Sequence, residues 1–120
     1  MQKRILVVDD DSMNLVRTKM ILGKYYDVLF AESGEEALDK LKKEKIDLVL
    51  LDIAMPKMSG IETLERMRKD SVETPVIFLT ASGDEEDVLD AIRLKAVNYL
   101  KKPFRPEELM KRVAQELQKQ

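Results

Sequence analysis

A hydrophobic run that ends in a carboxylate lies near the middle of the chain, in the segment IDLVLLD at residues 46–52. Four consecutive apolar residues between two aspartates are typical of a strand buried on both faces, as in the centre of a parallel sheet. The proline and glycine of the next segment, IAMPKMSG at residues 53–60, indicate a loop over the carboxyl end of that strand. Ligands bind at this edge of open α/β sheets, so Asp52 is the first candidate functional residue.

The length of 120 residues predicts one domain over residues 1–120, with room for a hydrophobic core. The formal net charge of -2 gives no electrostatic reason to expect direct nucleic-acid binding. No apolar run approaches the roughly 18 residues of a membrane span, and the run before Asp9 is too short for a signal peptide. We therefore expect a cytoplasmic protein with no membrane partner.

The chain contains neither cysteine nor histidine. Disulfides, thiolate nucleophiles, cysteine zinc sites and imidazole bases are therefore excluded, and with them most hydrolase mechanisms.

Strand and helix patterns alternate five times along the chain. Short apolar segments predict strands at residues 3–8, 27–31, 46–52, 75–79 and 97–101. Capping residues predict helices that begin at Asp11 or Ser12, at Ser33, at Ser59, near Asp84 and at Pro106. This order with short connections predicts an α/β fold in which a doubly wound parallel sheet has helices on both faces.

Each predicted helix carries apolar residues at helical spacing. In the first helix, which should end before Gly23, Met13, Val16 and Met20 lie on one face. In the other four helices the residues expected to face the core are Ala37, Leu38, Leu41, Ile61, Leu64, Met67, Val88, Ala91, Ile92, Leu109, Val113 and Leu117.

Polar side chains follow four of the five predicted strands: Asp9 and Asp10, Asp52, Thr80 and Lys102. Each has an ordinary structural explanation when taken singly, as a helix cap, a strand end or a surface charge. Together, three carboxylates at one sheet edge repel each other unless a cation neutralises them. Magnesium takes oxygen ligands, so a magnesium site beside a nucleophilic aspartate accounts for the whole set.

Four motifs resemble those of the receiver domains of two-component response regulators, and the resemblance covers essentially the whole chain. They are VVDD at residues 7–10, LDIAMPKMSG at 51–60, LTA at 79–81 and YLKKPF at 99–104. The resemblance implies a flavodoxin-like fold with five parallel strands in the order 2-1-3-4-5. It also implies a signalling protein that phosphorylates itself from a donor and slowly loses the phosphoryl group, rather than an enzyme.

The resemblance further implies roles for individual residues. Asp52 is the phosphorylation site, with a sensor histidine kinase or a phosphotransfer protein as the donor. Asp10, Asp52 and the backbone carbonyl of Ala54 hold magnesium, and Asp9 reaches it through water. The phosphoryl group is contacted by Thr80, Ala81 and Lys102.

Signalling would then pass through a pair of switch residues, Thr80 and Tyr99, although an aromatic residue such as Tyr99 can also simply pack on its strand neighbours. The implied output surface is formed by the fourth helix, the fifth strand and the fifth helix. Its partners are a downstream effector, an output domain or, after phosphorylation, a second copy of the chain.

Three positions depart from the family pattern. Lys95 stands where glycine is usual between the fourth helix and the fifth strand, Ser59 replaces an aspartate, and Arg105 replaces the usual capping residue before the fifth helix. The resemblance also implies a cis peptide bond between Lys102 and Pro103.

Two other functions fit a similar sheet. A magnesium-dependent phosphatase of the haloacid-dehalogenase type also uses an aspartate at a strand end, but its acid and base would stand at position 54, which is alanine. A flavin- or nucleotide-binding module needs a glycine-rich phosphate loop, whereas the glycines at 23, 34, 60 and 83 are scattered.

Overall fold

The computed structural model describes residues 2–81 and 85–119, with the side chain of residue 85 left out. Within these residues the chain forms five strands and five helices that alternate from the first strand to the last helix. In chain order they are β1 Arg4–Val8, α1 Ser12–Leu22, β2 Asp27–Ala31, α2 Gly34–Lys43, β3 Leu48–Asp52, α3 Gly60–Lys69, β4 Val76–Thr80, α4 Glu85–Arg93, β5 Asn98–Lys101 and α5 Pro106–Gln118.

All the strands pair in parallel, in the order β2-β1-β3-β4-β5. The predicted doubly wound sheet and its strand order are confirmed. β3 begins two residues later than its apolar pattern indicated, directly after Asp47, which forms two hydrogen bonds with Arg4 at the start of β1. The N–H of Asp47 donates to the carbonyl of Arg4, and its carboxylate accepts from the N–H of the same residue.

The strand β3 is buried at every position, as expected of a central parallel strand. Its side chains alternate between two hydrophobic cores, one on each face of the sheet. Leu51 contributes to the core that α2, α3 and α4 cover, and Leu50 to the core that α1 and α5 cover. Asp52 therefore lies at the carboxyl end of a strand that is buried at every position.

Two helix faces differ from the sequence pattern. The face of α1 that carries Met13, Val16 and Met20 is exposed, and the helix packs on the sheet through Leu15, Thr18 and Leu22 instead. Apolar residues lie on both sides of α1, so periodicity did not identify the buried side. In α4, Ala91 is buried as predicted and Val88 is half-buried. Ile92, predicted to face the core, is 68% exposed.

The remaining core predictions are confirmed. Ala37, Ile61, Leu64 and Met67 are buried, as are Leu109, Val113 and Leu117 of α5. Leu38 and Leu41 are partly buried against the same core.

The helix starts follow the predicted caps. The side chains of Asp11, Ser33 and Ser59 each accept a backbone N–H of their helix, and Ser59 forms a complete capping box with Glu62. The substitution of serine for aspartate at position 59 therefore leaves the cap intact. At α5, Arg105 makes no side-chain capping bond. The predicted start of α4 at Asp84 lies outside the described residues.

The helix α4 ends in a Schellman motif, in which Lys95 has the left-handed φ of 62° that the missing glycine would adopt. The N–H of Lys95 donates to the carbonyl of Ile92, and that of Ala96 donates to Ala91. The Lys102–Pro103 peptide bond is cis, as the resemblance implied. None of the described helices combines the length and the apolar character needed to cross a membrane.

Candidate functional site

The carboxyl ends of β1, β3 and β5 bring three charged side chains together. The ammonium nitrogen of Lys102 lies 3.1 Å from an Asp9 carboxylate oxygen and 3.7 Å from one of Asp52. Both carboxylates are almost fully buried, so these ion pairs are shielded from solvent screening. A cation between two buried carboxylates offsets part of the repulsion that would otherwise oppose this arrangement.

Asp10 completes an acidic cluster at the same edge. Asp9, Asp10 and Asp52 each offer one carboxylate oxygen within 4.8 Å of the others. Asp10 is exposed, which leaves the cluster open to solvent on one side. Oxygen ligands from two or three carboxylates suit a hard divalent cation, so these residues can hold a metal ion.

Local hydrogen bonds fix the positions of Asp9 and Lys102. One carboxylate oxygen of Asp9 accepts the N–H of Asp11 at 3.0 Å, and the N–H of Asp9 donates to Ala31 in β2 at 3.1 Å. The N–H of Lys102 donates to the carbonyl of Thr80 at 2.7 Å, which ties the end of β5 to the end of β4. The two charged groups are thus held by backbone contacts as well as by each other.

Burial raises the pKa of Asp52 to about 6. The positive charge of Lys102 lowers the pKa, as does a hydrogen bond from the backbone N–H of Ala54. The negative charges of Asp9 and Asp10 raise the pKa further. Loss of water contacts is therefore the larger cause of the raised pKa, and repulsion between the carboxylates is the smaller one. The carboxyl of Asp52 therefore titrates close to neutral pH when no cation is bound.

The loop after Asp52 is held close to the strand end by Gly60. The N–H of Gly60 donates to the carbonyl of Ile53 at 2.8 Å. A Cβ at Gly60 would lie 2.2 Å from the carbonyl oxygen of Asp52, too close for any other residue. Glycine is required here because the first turn of α3 rests on the peptide that follows Asp52.

Comparison with known proteins gives the same family as the motifs do. Residues 5–114 match the family described as response regulator receiver domain. The chain belongs to this family. Among curated relatives of this receiver domain, PhoP of Bacillus subtilis (strain 168), an alkaline phosphatase synthesis transcriptional regulatory protein, is 41% identical over 114 residues. The transcriptional regulatory protein CpxR of Escherichia coli (strain K12) is 42% identical over 113 residues.

Both alignments cover 94% of this chain but 48% of the relative. The chain thus spans about half the length of the curated relatives it matches. PhoP and CpxR are both transcriptional regulatory proteins, so the phosphatase alternative gains no support from them.

Solved receiver structures share the whole fold. A CheY-like receiver domain protein from Methanospirillum hungatei JF-1 superposes with a TM-score of 0.94 at 34% identity, covering 99% of this chain and 96% of that one. The BeF3-activated DrrB receiver domain gives a TM-score of 0.88 at 36% identity, covering 98% of this chain and 99% of that one.

The other residues selected from the sequence lie around the cluster. Thr80 is buried at the end of β4, and Ala81 follows it at the surface. Ala54 is exposed in the loop after β3, and Tyr99 is partly buried in β5 against the core under α4. Thr80 and Tyr99 sit on neighbouring strands, where Phe78 is the register partner of Tyr99.

A cavity of about 310 Å³ beside the cluster was not predicted. It opens between α1 and the segment after β5, and its lining includes Asn14, Arg17 and Phe104 together with Asp9 and Lys102. The cavity depends on how α1 packs beside residues that follow β5, and this contact between distant parts of the chain has no signature in the sequence.

Proposed function

We propose that this chain is a phosphoacceptor receiver domain in which Asp52 takes a phosphoryl group from a sensor histidine kinase or a phosphotransfer protein. The proposal treats residues 1–120 as one receiver unit acting in the cytoplasm. The observation that carries it is the contact of one lysine, Lys102, with both Asp9 and Asp52 at the carboxyl edge of the sheet. Membership of the receiver family supports the same role.

Asp52 acts as the nucleophile. A carboxylate oxygen forms a bond to phosphorus while the bond from phosphorus to the donor breaks, which leaves an acyl phosphate on Asp52. The attacking carboxylate must be ionised. Because the pKa of Asp52 is about 6 without a cation, most Asp52 carboxyls are ionised at pH 7. Its burial also keeps the reacting oxygen poorly hydrated, which favours attack once the donor excludes the remaining water.

The proposed metal ligands are Asp10, Asp52 and the backbone carbonyl of Ala54, with Asp9 reaching the ion through water. Three carboxylate oxygens within 4.8 Å and a neighbouring carbonyl match the all-oxygen donor set that magnesium prefers. Magnesium bound here supplies positive charge that offsets the carboxylates and the transferring phosphoryl oxygens.

Lys102, Thr80 and Ala81 are the proposed contacts of the phosphoryl group. The ammonium of Lys102, already 3.7 Å from Asp52, pairs with a phosphoryl oxygen. The Thr80 hydroxyl and the Ala81 N–H donate hydrogen bonds to the other oxygens. As Thr80 turns toward the phosphoryl group it vacates space that the ring of Tyr99 fills, so the two residues act as the switch.

The phosphorylated state persists in this proposal because position 54 provides no acid or base. An alanine there cannot activate water against the acyl phosphate. Self-phosphorylation from a donor and slow loss of the phosphoryl group are then the only reactions of a protein whose role is signalling.

The exposed face of α1 is the proposed docking surface for the donor protein. Met13, Val16 and Met20 are 67%, 52% and 79% exposed on a helix that starts directly after the acidic cluster. An exposed apolar stripe on the helix that begins beside the reaction centre favours a protein donor over a small molecule. Met20→Glu should slow transfer from a purified histidine kinase that phosphorylates the wild type, and leave phosphorylation by acetyl phosphate unchanged.

The proposed output surface is formed by α4, β5 and α5, next to the switch pair. Leu89, Ile92 and Val97 expose apolar side chains there. The relatives are transcriptional regulators, which supports control of transcription through an output domain or a separate effector. Hydrogen exchange with and without beryllofluoride, a phosphoryl mimic, should change at residues 84–104. Changes confined to residues 25–45 would contradict this surface, and gel filtration would detect a dimer of the activated protein.

Intact-mass analysis tests the phosphorylation site. With acetyl phosphate and magnesium the wild type should gain one phosphoryl group, and EDTA should prevent the gain. Asp52→Asn should show no gain, whereas Asp70→Asn, a change at an exposed aspartate after α3, should behave as the wild type. A phosphoryl adduct on Asp52→Asn at the wild-type rate would rule out the proposed site.

A further inference from the structure

Gly34, the first residue of α2, is buried where α2 meets the start of α3. A Cβ at this position would lie 2.1 Å from the hydroxyl oxygen of Thr63 and 2.8 Å from the sulfur of Met58. Both distances are far below van der Waals contact, so a residue larger than glycine requires movement of its neighbours.

The two side chains that meet Gly34 belong to the segment that follows Asp52. Met58 lies in the loop itself, residues 53–59, which we call the phosphorylation loop. Thr63 is fully buried in the first turn of α3, and its hydroxyl donates to the carbonyl of Ser59, the last residue of the loop, at 2.8 Å. The start of α2 therefore packs directly on the end of the phosphorylation loop.

The start of α3 in turn rests on Asp52. The N–H of Gly60 donates to Ile53, and a Cβ at Gly60 would lie 2.2 Å from the Asp52 carbonyl oxygen and 2.8 Å from the Ile53 Cα. Two close approaches, of α3 side chains and the loop to Gly34 and of the Asp52 carbonyl to Gly60, thus join α2, the start of α3 and the end of β3.

We propose that Gly34 is a positioning residue for phosphorylation of Asp52, although it lies on another helix and touches none of the reacting groups. Its missing side chain lets α2 fix the start of α3, and through Gly60 the peptide that carries Asp52 and leads to Ala54. The inference rests on the proposed function, because it assigns Gly34 to the placement of the groups that hold the phosphoryl group and the cation.

The two neighbours of Gly34 differ in their ability to yield. Met58 is flexible and can turn its sulfur away. Thr63 is β-branched, buried and hydrogen-bonded to the loop, so a methyl group at position 34 displaces it together with Ser59. A displacement of about 1 Å of catalytic groups can lower a rate by roughly a hundredfold, so even a partial shift should be measurable.

The test compares Gly34→Ala with the wild type in two assays: phosphorylation by acetyl phosphate at saturating magnesium, and binding of Mn²⁺ followed by loss of the free-ion EPR signal. We expect the rate to fall by about tenfold and Mn²⁺ binding to weaken several-fold. In the metal-free protein, the Gly60 amide should exchange faster with deuterium, because its bond to Ile53 is disturbed.

A second change in the same protein identifies the contact responsible. Thr63→Ala removes the atom that the new methyl group meets, so Gly34→Ala with Thr63→Ala should recover most of the rate. Thr63→Val keeps a branched side chain of the same size, and so should not rescue Gly34→Ala. Gly23→Ala is the matched control, because its Cβ would also meet a close neighbour, the backbone carbonyl oxygen of Lys19 at 2.6 Å, but at the opposite end of a different helix.

Gly34→Ala with the phosphorylation rate and Mn²⁺ affinity of the wild type would overturn the positioning role, even if the protein melts at a lower temperature. Equal losses of phosphorylation rate in Gly34→Ala and Gly23→Ala would also overturn the positioning role. So would equal recovery of the rate when Thr63→Ala or Thr63→Val is added to Gly34→Ala. A wild type that accepts no phosphoryl group would instead contradict the proposed function, and the Gly60 exchange measurement in the metal-free protein would still test whether Gly34 holds the loop.

Discussion

The ammonium group of Lys102 lies 3.7 Å from a carboxylate oxygen of Asp52, although β4 separates their two strands in the sheet. The long side chain spans this gap because the N–H of Lys102 is bonded to the carbonyl of Thr80 at the end of β4. The lysine therefore acts as a fixed positive charge beside an aspartate whose burial disfavours ionisation.

Replacing this lysine should raise the pKa of Asp52. Lys102→Met keeps a long apolar stem but removes the charge that opposes the effect of burial, so the pKa should move above its present value of about 6. An NMR titration of the Asp52 carboxyl carbon in EDTA measures this directly. Lys101→Met, at the exposed neighbouring position, should leave the titration unchanged. An unchanged titration in Lys102→Met would show that the ion pair does not form in solution.

The raised pKa of Asp52 also predicts how stability depends on pH without a metal. The unfolded carboxyl has a pKa of about 3.9, so between that value and about 6 the unfolded state releases its proton more readily than the folded state. The contribution of Asp52 to the free energy of unfolding should therefore fall across this window and stay constant above it.

Urea unfolding in EDTA at several pH values measures this loss, and Asp52→Asn should remove it. Equal slopes between pH 4 and pH 6 for the two proteins would mean that the pKa of Asp52 is not raised in the folded state.

Asp10 should oppose folding when no cation is present. Its charge raises the pKa of Asp52, so Asp10→Asn should raise the melting temperature of the protein in EDTA. The same change removes a proposed ligand, so the mutant should gain less stability from millimolar magnesium than the wild type does. A lower melting temperature in EDTA would identify Asp10 as a structural residue rather than a metal ligand.

The sequence was sufficient to predict the parallel sheet and which charged side chains meet at one of its edges. Strand ends in a parallel sheet share one edge, so the polar residues after four of the five apolar runs were expected to meet there, and Asp9, Asp52 and Lys102 do. The continuous apolar run of β3 predicted a strand covered on both faces, and every position of β3 is buried.

Helix orientation was harder to predict, because α1 and α4 carry apolar residues on more than one side. Met20 and Ile92 satisfy a helical period, yet both are exposed, since Leu22 and Leu94 take the places against the core. Nor does the sequence reveal that Gly34 meets Thr63, because that contact depends on the angle between two helices.

Arg68 joins the ends of two helices. Its guanidinium donates to the carbonyls of Val72 and Thr74, which follow α3, and to that of Leu94, the first residue after α4. Arg68→Met should leave these partly buried carbonyls without their donor and lower the free energy of unfolding by about 1–3 kcal/mol.

Chemical denaturation of Arg68→Met beside Arg66→Met, a change at an exposed position of the same helix, measures the difference. Equal stability of the two variants would show that solvent replaces Arg68 at these carbonyls without loss.

Lys95 and Ser71 occupy equivalent positions after α4 and α3, with φ values of 62° and 61°. In each case the N–H of the residue, and that of the next residue, close a Schellman motif on the preceding helix. A side chain in this left-handed region costs about 1 kcal/mol relative to glycine. Lys95→Gly should therefore raise the free energy of unfolding by up to this amount, less the entropy that glycine adds to the unfolded chain.

Ser71→Gly should raise stability in the same direction, because the motif and the φ value are the same. Thermal melts of both variants and of the double variant test the common cause. Because Arg68 donates to the carbonyl of Lys95 and its own carbonyl accepts the N–H of Ser71, the double variant also measures the coupling between the two sites. If Lys95→Gly melts lower than the wild type while Ser71→Gly melts higher, then contacts of the Lys95 side chain outweigh its backbone strain. The lysine would then stabilise the end of α4 in place of the usual glycine.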